Sequence, residues 1–443
     1  MSQVPGALHA PASSTDRSHS EIVRGILSVG TFILIGKLAA AAKEMVVAWR
    51  YGVSADVDVY LFLFNLINWP ISLWVSILTP ILVPILAKER YERHGDQGRF
   101  RAELTGRTLL AGVVVAAVVA VLMVVLLRTS LTGLPTSSLS KAFRLLTPMV
   151  LLTPFGWLIG LFSVVMLAAG RHANTLLESV PAIVIAALAA AFGSYGIDVL
   201  AWATLAGYLC HMLALAVPLR HELQTPRYTA DAPQWSAFWA GFSIMLLGQC
   251  LMSLTTVADQ FFAARLSAGA LASLGYAQRI LALILGLGAT AVGRATIPVL
   301  ARAPDSAYAN VRGITLRWVR IVFAGGLVAI AIGWWLAPWG VRLLFERGAF
   351  TPGDTRAVVA VLRAGLLQMP FNFSAVLLFY ALAGRRKYMA ITLVASVALI
   401  LKLLMNSLLV PVWGTQGLML STGVMNAALM FMYLLLLLRE NDG

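Results

Sequence analysis

The side chains of this sequence that could do chemistry are ionisable groups set inside apolar stretches: Lys37, Lys43 and Glu44 in the first, then Glu178, Asp259, Arg279 with Arg294, and Lys402. A charge at the centre of a bilayer costs about 2.5–3.5 kcal/mol on insertion scales, so such residues are functional candidates by default, each with a partner to be named. Cations outnumber anions here five to three. Arginine and lysine make charge-assisted hydrogen bonds to phosphate oxygens, so a wet cavity lined by them suits an anionic headgroup, above all a diphosphate, and suits an organic cation poorly. Arg279 and Arg294 are about 60° apart around a helix and can line one wall of such a cavity. Lys37 and Glu44 are seven positions apart and share a helix face, which makes an ion pair between them the structural alternative. In the competing reading each cation snorkels to an interface or pairs with a carboxylate, and Glu178, near a span end, is structural.

Other chemistry leaves no signature in the chain. It has no Gly-rich phosphate loop with its lysine, no HExxH, no CxxC and no Gly-x-Ser-x-Gly. His211 lies in an apolar span and is expected as a core side chain. Cys210 and Cys250, also in apolar runs, are expected as small core residues and not as a disulfide. The chain is therefore expected to be no enzyme and to use no cofactor and no metal. Trp69, Trp74, Trp157, Trp334, Trp335 and Trp339 gather towards span ends, where amphipathic rings anchor at the membrane interface.

The frame that must hold these groups is bilayer-spanning. Of 443 residues 60% are hydrophobic and 12% charged, about half the charged fraction of a soluble domain, and the mean hydropathy is +0.84. Apolar runs of about 20 residues, each able to cross about 30 Å of hydrocarbon, identify a polytopic membrane protein. Twelve such runs are expected, near 25–48, 59–86, 108–128, 146–168, 175–193, 198–218, 237–262, 273–300, 318–338, 357–382, 389–410 and 415–438. The net charge of +14 would point to nucleic acid in a soluble chain. Here the basic residues concentrate in loops after even-numbered spans: Lys88 to Arg107, Arg171, Arg220 and Arg227, Arg302 to Arg317, and Arg385 to Lys387. Those loops and both termini are expected on the cytoplasmic side, with no nucleic-acid partner. The loops after spans 3 and 9 are basic too, so the bias is imperfect.

A repeat organises the spans. Val83-Pro84-Ile85-Leu86-Ala87 recurs as Ile297-Pro298-Val299-Leu300-Ala301 and Ala169-Gly170-Arg171 as Ala383-Gly384-Arg385, both offset by 214; Pro154-Phe155 recurs as Pro370-Phe371, offset by 216. Ordered matches at one offset imply two six-helix halves of the same orientation, related by an axis along the membrane normal, an architecture in which transporters bind substrate between the halves. The expected organisation is a disordered cytoplasmic tail (1–21), an N-lobe (22–222, helices 1–6), a cytoplasmic linker (223–236) and a C-lobe (237–443, helices 7–12). The expected fold class is an all-α polytopic membrane protein, with twelve transmembrane helices in two six-helix lobes around a central cavity.

Particular strings go beyond these generic features. Gly36-Lys37-Leu38, Lys43-Glu44, Tyr51-Gly52, Ala55-Asp56-Val57-Asp58 and Val83 to Ala87 resemble the opening of the MurJ/MviN family of lipid II flippases. Asp259-Gln260-Phe261-Phe262-Ala263, Tyr276-Ala277-Gln278-Arg279, Leu344 to Thr351, and Leu404-Met405-Asn406 through Gly417-Leu418 resemble later parts of that family, from residue 22 to 438 in all. The Phe-x-x-Gly-x-Phe-Thr string, Phe345 to Thr351, is the most specific element. The resemblance implies the fold of the multidrug/oligosaccharidyl-lipid/polysaccharide exporter superfamily, with a cationic cavity that alternates between membrane faces and polyprenyl-diphosphate-linked sugars as substrate. It also implies a bacterial cytoplasmic (inner) membrane location. Lys37, Lys43 and Arg279 fall where the family carries cavity arginines, with lysine replacing arginine at the first two. The substrate-contacting set expected from charge and resemblance together is Lys37, Lys43, Arg279, Arg294, Asp58 and Glu44.

The chain also departs from the family. Where the family has a further cavity arginine in span 2, it has Trp69-Pro70-Ile71, and no counterpart is expected of the two extra helices that form a lipid-tail groove in lipid II flippases. Some relatives bind sodium in the second lobe. Asp259, Asn406 and Thr422 approximate that cation site by resemblance, but Lys402 falls among its positions, and its ammonium can take the ion's place. The function expected is flipping of a polyprenyl-diphosphate-linked saccharide, lipid II or a similar cell-envelope glycan precursor. Its partners are that substrate, membrane lipid and glycan-assembly enzymes. The alternatives are an exopolysaccharide or capsule repeat-unit flippase, a cation-coupled drug exporter, which would need an acidic cavity, a non-transporting scaffold for glycan assembly and a membrane glycosyltransferase.

Overall fold

The fold is that of a computed structural model, which describes residues 14–91, 98–129, 132–171, 173–220, 222, 225–301, 308–384 and 387–439. The backbone of an apolar chain in lipid has no water to bond, so it satisfies itself as helix. The helices are α1 (Ser14–Tyr51), α2 (Ala55–Tyr91), α3 (Arg99–Arg128), α4 (Thr136–Val150), α5 (Leu152–Ala168), α6 (Ala173–Leu177), α7 (Val180–Phe192), α8 (Ile197–Leu219), α9 (Gln234–Ala264), α10 (Ala270–Ala301), α11 (Tyr308–Phe345), α12 (Pro352–Leu366), α13 (Met369–Gly384) and α14 (Tyr388–Arg439). Some boundaries are written locally. At α12, Thr351 and Asp354 form a reciprocal capping box, and Pro352 follows in the first turn, where its missing N–H costs nothing.

All twelve expected stretches are helical, some with short breaks. Among the described residues, however, eight helices are long and apolar enough to cross a membrane, or nine if the bent pair α12–α13 is one span. Length and hydropathy thus yield fewer spans than the expected twelve. One reason is visible in α14. Gly414 there is non-helical (φ 55°, ψ −132°), and Lys402 Nζ lies 3.1 Å from the Leu418 carbonyl, residues that would stand about 24 Å apart along a straight helix. The chain therefore reverses near Gly414, and α14 is two antiparallel segments.

The start of the chain also differs from expectation. Residues 1–13 of the expected tail lie outside the described residues, whereas residues 14–21 belong to α1. That polar stretch holds neither glycine nor proline, so nothing stops it from prolonging an apolar helix into water.

The repeat reappears in the packing. α4 and α5 break at Leu151, while α12 and α13 break at Leu367 and Gln368, the same offset as the Pro154 and Pro370 strings. A Cβ on Gly112 of α3 would lie 3.1 Å from Pro154 Cα, and one on Gly326 of α11 only 2.4 Å from Pro370 Cα. Each half thus lets a glycine carry one helix close against the same proline of another. Within the first half α2 packs on α5 and α4, and α7 on α8 and α1; within the second, α13 packs on α14, α11 and α10. The halves meet chiefly where α2 lies against α9 and α10, with Asn65 donating to Gln260 at 3.0 Å. One apolar core runs through both. Large side chains such as Val121, Leu327, Val328 and Trp335 point outwards, as a lipid-facing surface requires. Cys210 is also exposed, which corrects its expected place in the core.

The segment between the halves is fastened to the first of them. Glu103 of α3, fully buried, accepts from Arg99 Nε (3.1 Å), Thr229 Oγ1 (3.0 Å), the Ala232 amide (3.1 Å) and Trp235 Nε1 (2.8 Å). A buried carboxylate is tolerable only when its oxygens are filled in this way. Four donors from two helices and the intervening chain fix where α9 starts.

Candidate cationic site between the halves

α1 contributes Lys43 and Glu44 to the seam, and α10 contributes Arg279. The Glu44 carboxylate takes the Lys43 ammonium at 2.5 Å on one oxygen and the Arg279 guanidinium on the other. Two cations on one carboxylate leave a fixed positive excess. With Val47, Val57, Tyr60 and Tyr276 these groups line a void of about 20 Å³, room for one water. The expected chamber is thus closed down around the ion cluster, with Glu44 between the two cations.

The other residues of the expected set lie elsewhere. Lys37 is exposed. It sits beside α6, where a Cβ on neighbouring Gly36 would lie 3.9 Å from the Thr175 carbonyl. The expected Lys37–Glu44 pair does not form, because seven residues is about 10.5 Å of rise and Glu44 is turned towards α10. Asp58 does not line the void either. Its carboxylate accepts from the amides of Gly269 at 2.5 Å and Ala272 at 2.8 Å, so it caps the N-terminus of α10 from the first turn of α2. A carboxylate there is favoured by the unpaired amides and by the helix dipole. Arg294 falls outside the described side chains.

Around this cap the end of the bundle bearing the α1–α2 turn is shut. The Ala349 amide donates to the Trp49 carbonyl at 2.8 Å and Tyr276 Oη to the Gly52 carbonyl at 3.2 Å, while the Tyr276 ring packs on Phe345 and Phe350. Gly52 has φ +59°, and a Cβ there would come within 2.4 Å of the Ala349 carbonyl oxygen, so only glycine fits. Turns from both halves are thereby stitched together. The Phe345 to Thr351 string owes its specific spacing to this knot.

A second buried charge cluster joins α9 to α14. Lys402, fully buried, places Nζ 3.1 Å from Asp259 Oδ1 and donates to the Leu418 carbonyl (3.1 Å), Ser421 Oγ (3.3 Å) and Thr422 Oγ1. Asn406 donates to Asp259 at 2.9 Å and accepts from Ser421. The expected cation-site residues Asp259, Lys402, Asn406 and Thr422 are therefore together. They do not fit a sodium ion: the ammonium already neutralises the carboxylate and occupies the oxygens the ion would need. The cluster is a filled site, with the cation supplied by the chain itself.

The family profile described as lipid II flippase MurJ matches residues 47–442. The chain belongs to that family. A probable lipid II flippase MurJ of Bdellovibrio bacteriovorus is 30% identical over 55% of this chain, though the match spans about half of that relative (47%). A probable lipid II flippase MurJ of Rhizobium tropici is 25% identical over 93% of this chain and 81% of its own length. Among solved structures, a lipid II flippase MurJ in an inward closed conformation superposes with a TM-score of 0.79 at 15% identity, covering 93% of this chain and 87% of that one. An inward-facing multidrug resistance MATE family transporter of the MOP superfamily gives 0.69 at 15% identity, covering 92% and 96%. At such identities these likenesses establish the fold, a membrane transporter fold.

Proposed function

We propose that this chain flips a polyprenyl-diphosphate-linked saccharide across the bacterial cytoplasmic membrane, with lipid II as the substrate its family membership favours. The observation that carries the reading is the convergence of Lys43 and Arg279, one from each half, on the single carboxylate of Glu44. A diphosphate outbids that carboxylate, because it offers more charge and more acceptor oxygens to the same two cations. Glu44 acts as a stand-in that keeps both cations paired while no substrate is bound. Such a stand-in avoids the several kcal/mol that an unpaired buried charge costs. The basic loops support an orientation with both termini inside, so the stitched α1–α2 end faces outwards and the site is reached from the cytoplasmic side.

Alternation is a rocking of the residue 22–222 half against the residue 237–443 half about the α2–α9 and α2–α10 contacts. The headgroup, by bridging Lys43 and Arg279, couples itself to that motion. The sugar and diphosphate travel between the halves while the lipid tail stays in the bilayer. The work is transport and involves no bond chemistry.

The test is reconstitution in proteoliposomes with a fluorescent polyprenyl-diphosphate disaccharide in both leaflets and an impermeant quencher outside. Protein should raise the quenched fraction from about half towards completion. A quenched fraction equal to that of protein-free vesicles would mean that the chain binds or scaffolds and does not transport.

A further inference from the structure

A second cavity, of about 440 Å³, opens between α3 and α5 of the first half and α9 of the second. Its wall is aromatic: Trp74 and Trp157 stack at 4.2 Å between centroids, facing Trp235, Phe238, Trp239 and Phe242. Its rim includes Leu110, Val114 and Trp239, each more than half exposed, so it opens on the lipid-facing surface. Three residues of its lining carry polar groups that lack the bonds their position calls for. Thr108, 2% exposed, has a hydroxyl without a partner, whereas Thr79, Thr105 and Thr204 bond back to the carbonyl four residues earlier. The Trp157 indole N–H is likewise buried and unpaired, although Trp74 and Trp235 both find acceptors. An unsatisfied buried polar group costs about 1–3 kcal/mol, and these two, closed off themselves but on residues that line the cavity, gain a partner only where the lining yields to an occupant that brings oxygen atoms.

Arg107 supplies the third element. Its Nε is spent on the Thr229 carbonyl at 2.9 Å and its guanidinium lies 5.2 Å from the Trp235 ring centroid. Its two terminal nitrogens have no partner among the described residues. It stands one turn nearer the start of α3 than Ala111 of the same cavity, the depth at which headgroups begin beyond an apolar span. One free cation matches one phosphodiester.

We propose that this cavity is a binding site for a single anionic glycerophospholipid of the cytoplasmic leaflet. The phosphate bonds to Arg107, glycerol-ester oxygens meet Thr108 and the Trp157 N–H, and one acyl chain lies among the aromatic rings. Because α3 and α5 belong to one half and α9 to the other, the bound lipid favours the arrangement seen here over one in which α9 swings away.

Native mass spectrometry of the full-length protein in detergent tests this, with phosphatidylglycerol and phosphatidylcholine added in equal amounts. One phosphatidylglycerol should be retained at collision energies that strip phosphatidylcholine. Arg107→Gln should weaken retention about tenfold, as expected for a lost charged hydrogen bond. Trp157→Phe, which keeps a ring and removes the N–H, should weaken it several-fold. Thermal melting of each variant reports whether the fold is intact. Equal retention of the two lipids by the wild type, or undiminished phosphatidylglycerol on folded Arg107→Gln, overturns the proposal. So does retention of a polyprenyl monophosphate in place of phosphatidylglycerol.

Discussion

Arg279→Ala abolishes flipping in proteoliposomes while the protein still inserts, purifies and melts as a folded species. Arg279 is one third exposed at the side chain, so its removal opens no deep cavity, and Glu44 keeps its contact with Lys43. What disappears is the positive excess: Lys43 and Glu44 alone sum to zero and offer a diphosphate nothing that the carboxylate does not already hold. Losing a forked, charge-assisted contact costs about 3 kcal/mol, roughly a hundredfold in headgroup affinity, and breaks the bridge between the halves. Arg279→Lys, which restores charge without the planar fork, should recover part of the rate. Wild-type flipping by folded Arg279→Ala would remove this residue from the mechanism.

The second large effect concerns Lys402. Lys402→Ala leaves Asp259 as a buried carboxylate with Asn406 as its remaining donor, and breaking a buried pair in this way costs about 3–5 kcal/mol. The same change frees Asp259, Ser421, Thr422 and the Leu418 carbonyl, a set of oxygens suited to a small hard cation. The variant should therefore melt well below the wild type in potassium chloride and recover part of the loss in sodium chloride, while the wild type melts alike in both. Lys402→Ala with Asp259→Asn should lose the sodium response and regain stability. A wild-type melting temperature or flipping rate that rises with sodium and ceases to do so in Asp259→Ala would show that an ion, and not Lys402, fills the site.

Much of this was legible in the residues, and the failures share one cause. Apolar runs located the helical stretches, because length and hydropathy are local properties, but not the start of α1 or the number of spans. The repeated Pro-Phe and Ala-Gly-Arg strings suggest two related halves, and the α4–α5 and α12–α13 helices break at positions with the same offset. Helical periodicity says which residues share a face but not which helix lies opposite. Lys37 and Glu44 do share a face of α1, yet one meets α6 and the other α10. Asp58 sat in a family-like string and was expected at the substrate, but its two oxygens are spent on amides of α10. Glu103 carries no signal in the sequence, since nothing local tells that a distant tryptophan and an amide will close on it. The placing of Lys402 beside Asp259 was expected from the resemblance, and the two do lie 3.1 Å apart; that the ammonium stands in for an ion is the reading the sodium measurement above tests.

The proposed contact joins Lys43 and Arg279 to the diphosphate of a lipid-linked sugar. It is tested most directly by measuring binding of a polyprenyl-diphosphate disaccharide, and of the free polyprenol, to the wild type, Arg279→Ala and Lys43→Ala by native mass spectrometry. The wild type should bind the diphosphate lipid at least tenfold more tightly than the polyprenol, in line with charge-assisted contacts worth about 1.5–3 kcal/mol each. Either substitution should erase most of that preference. Equal binding of the two lipids by the wild type, or a preference that survives in both variants, would contradict it.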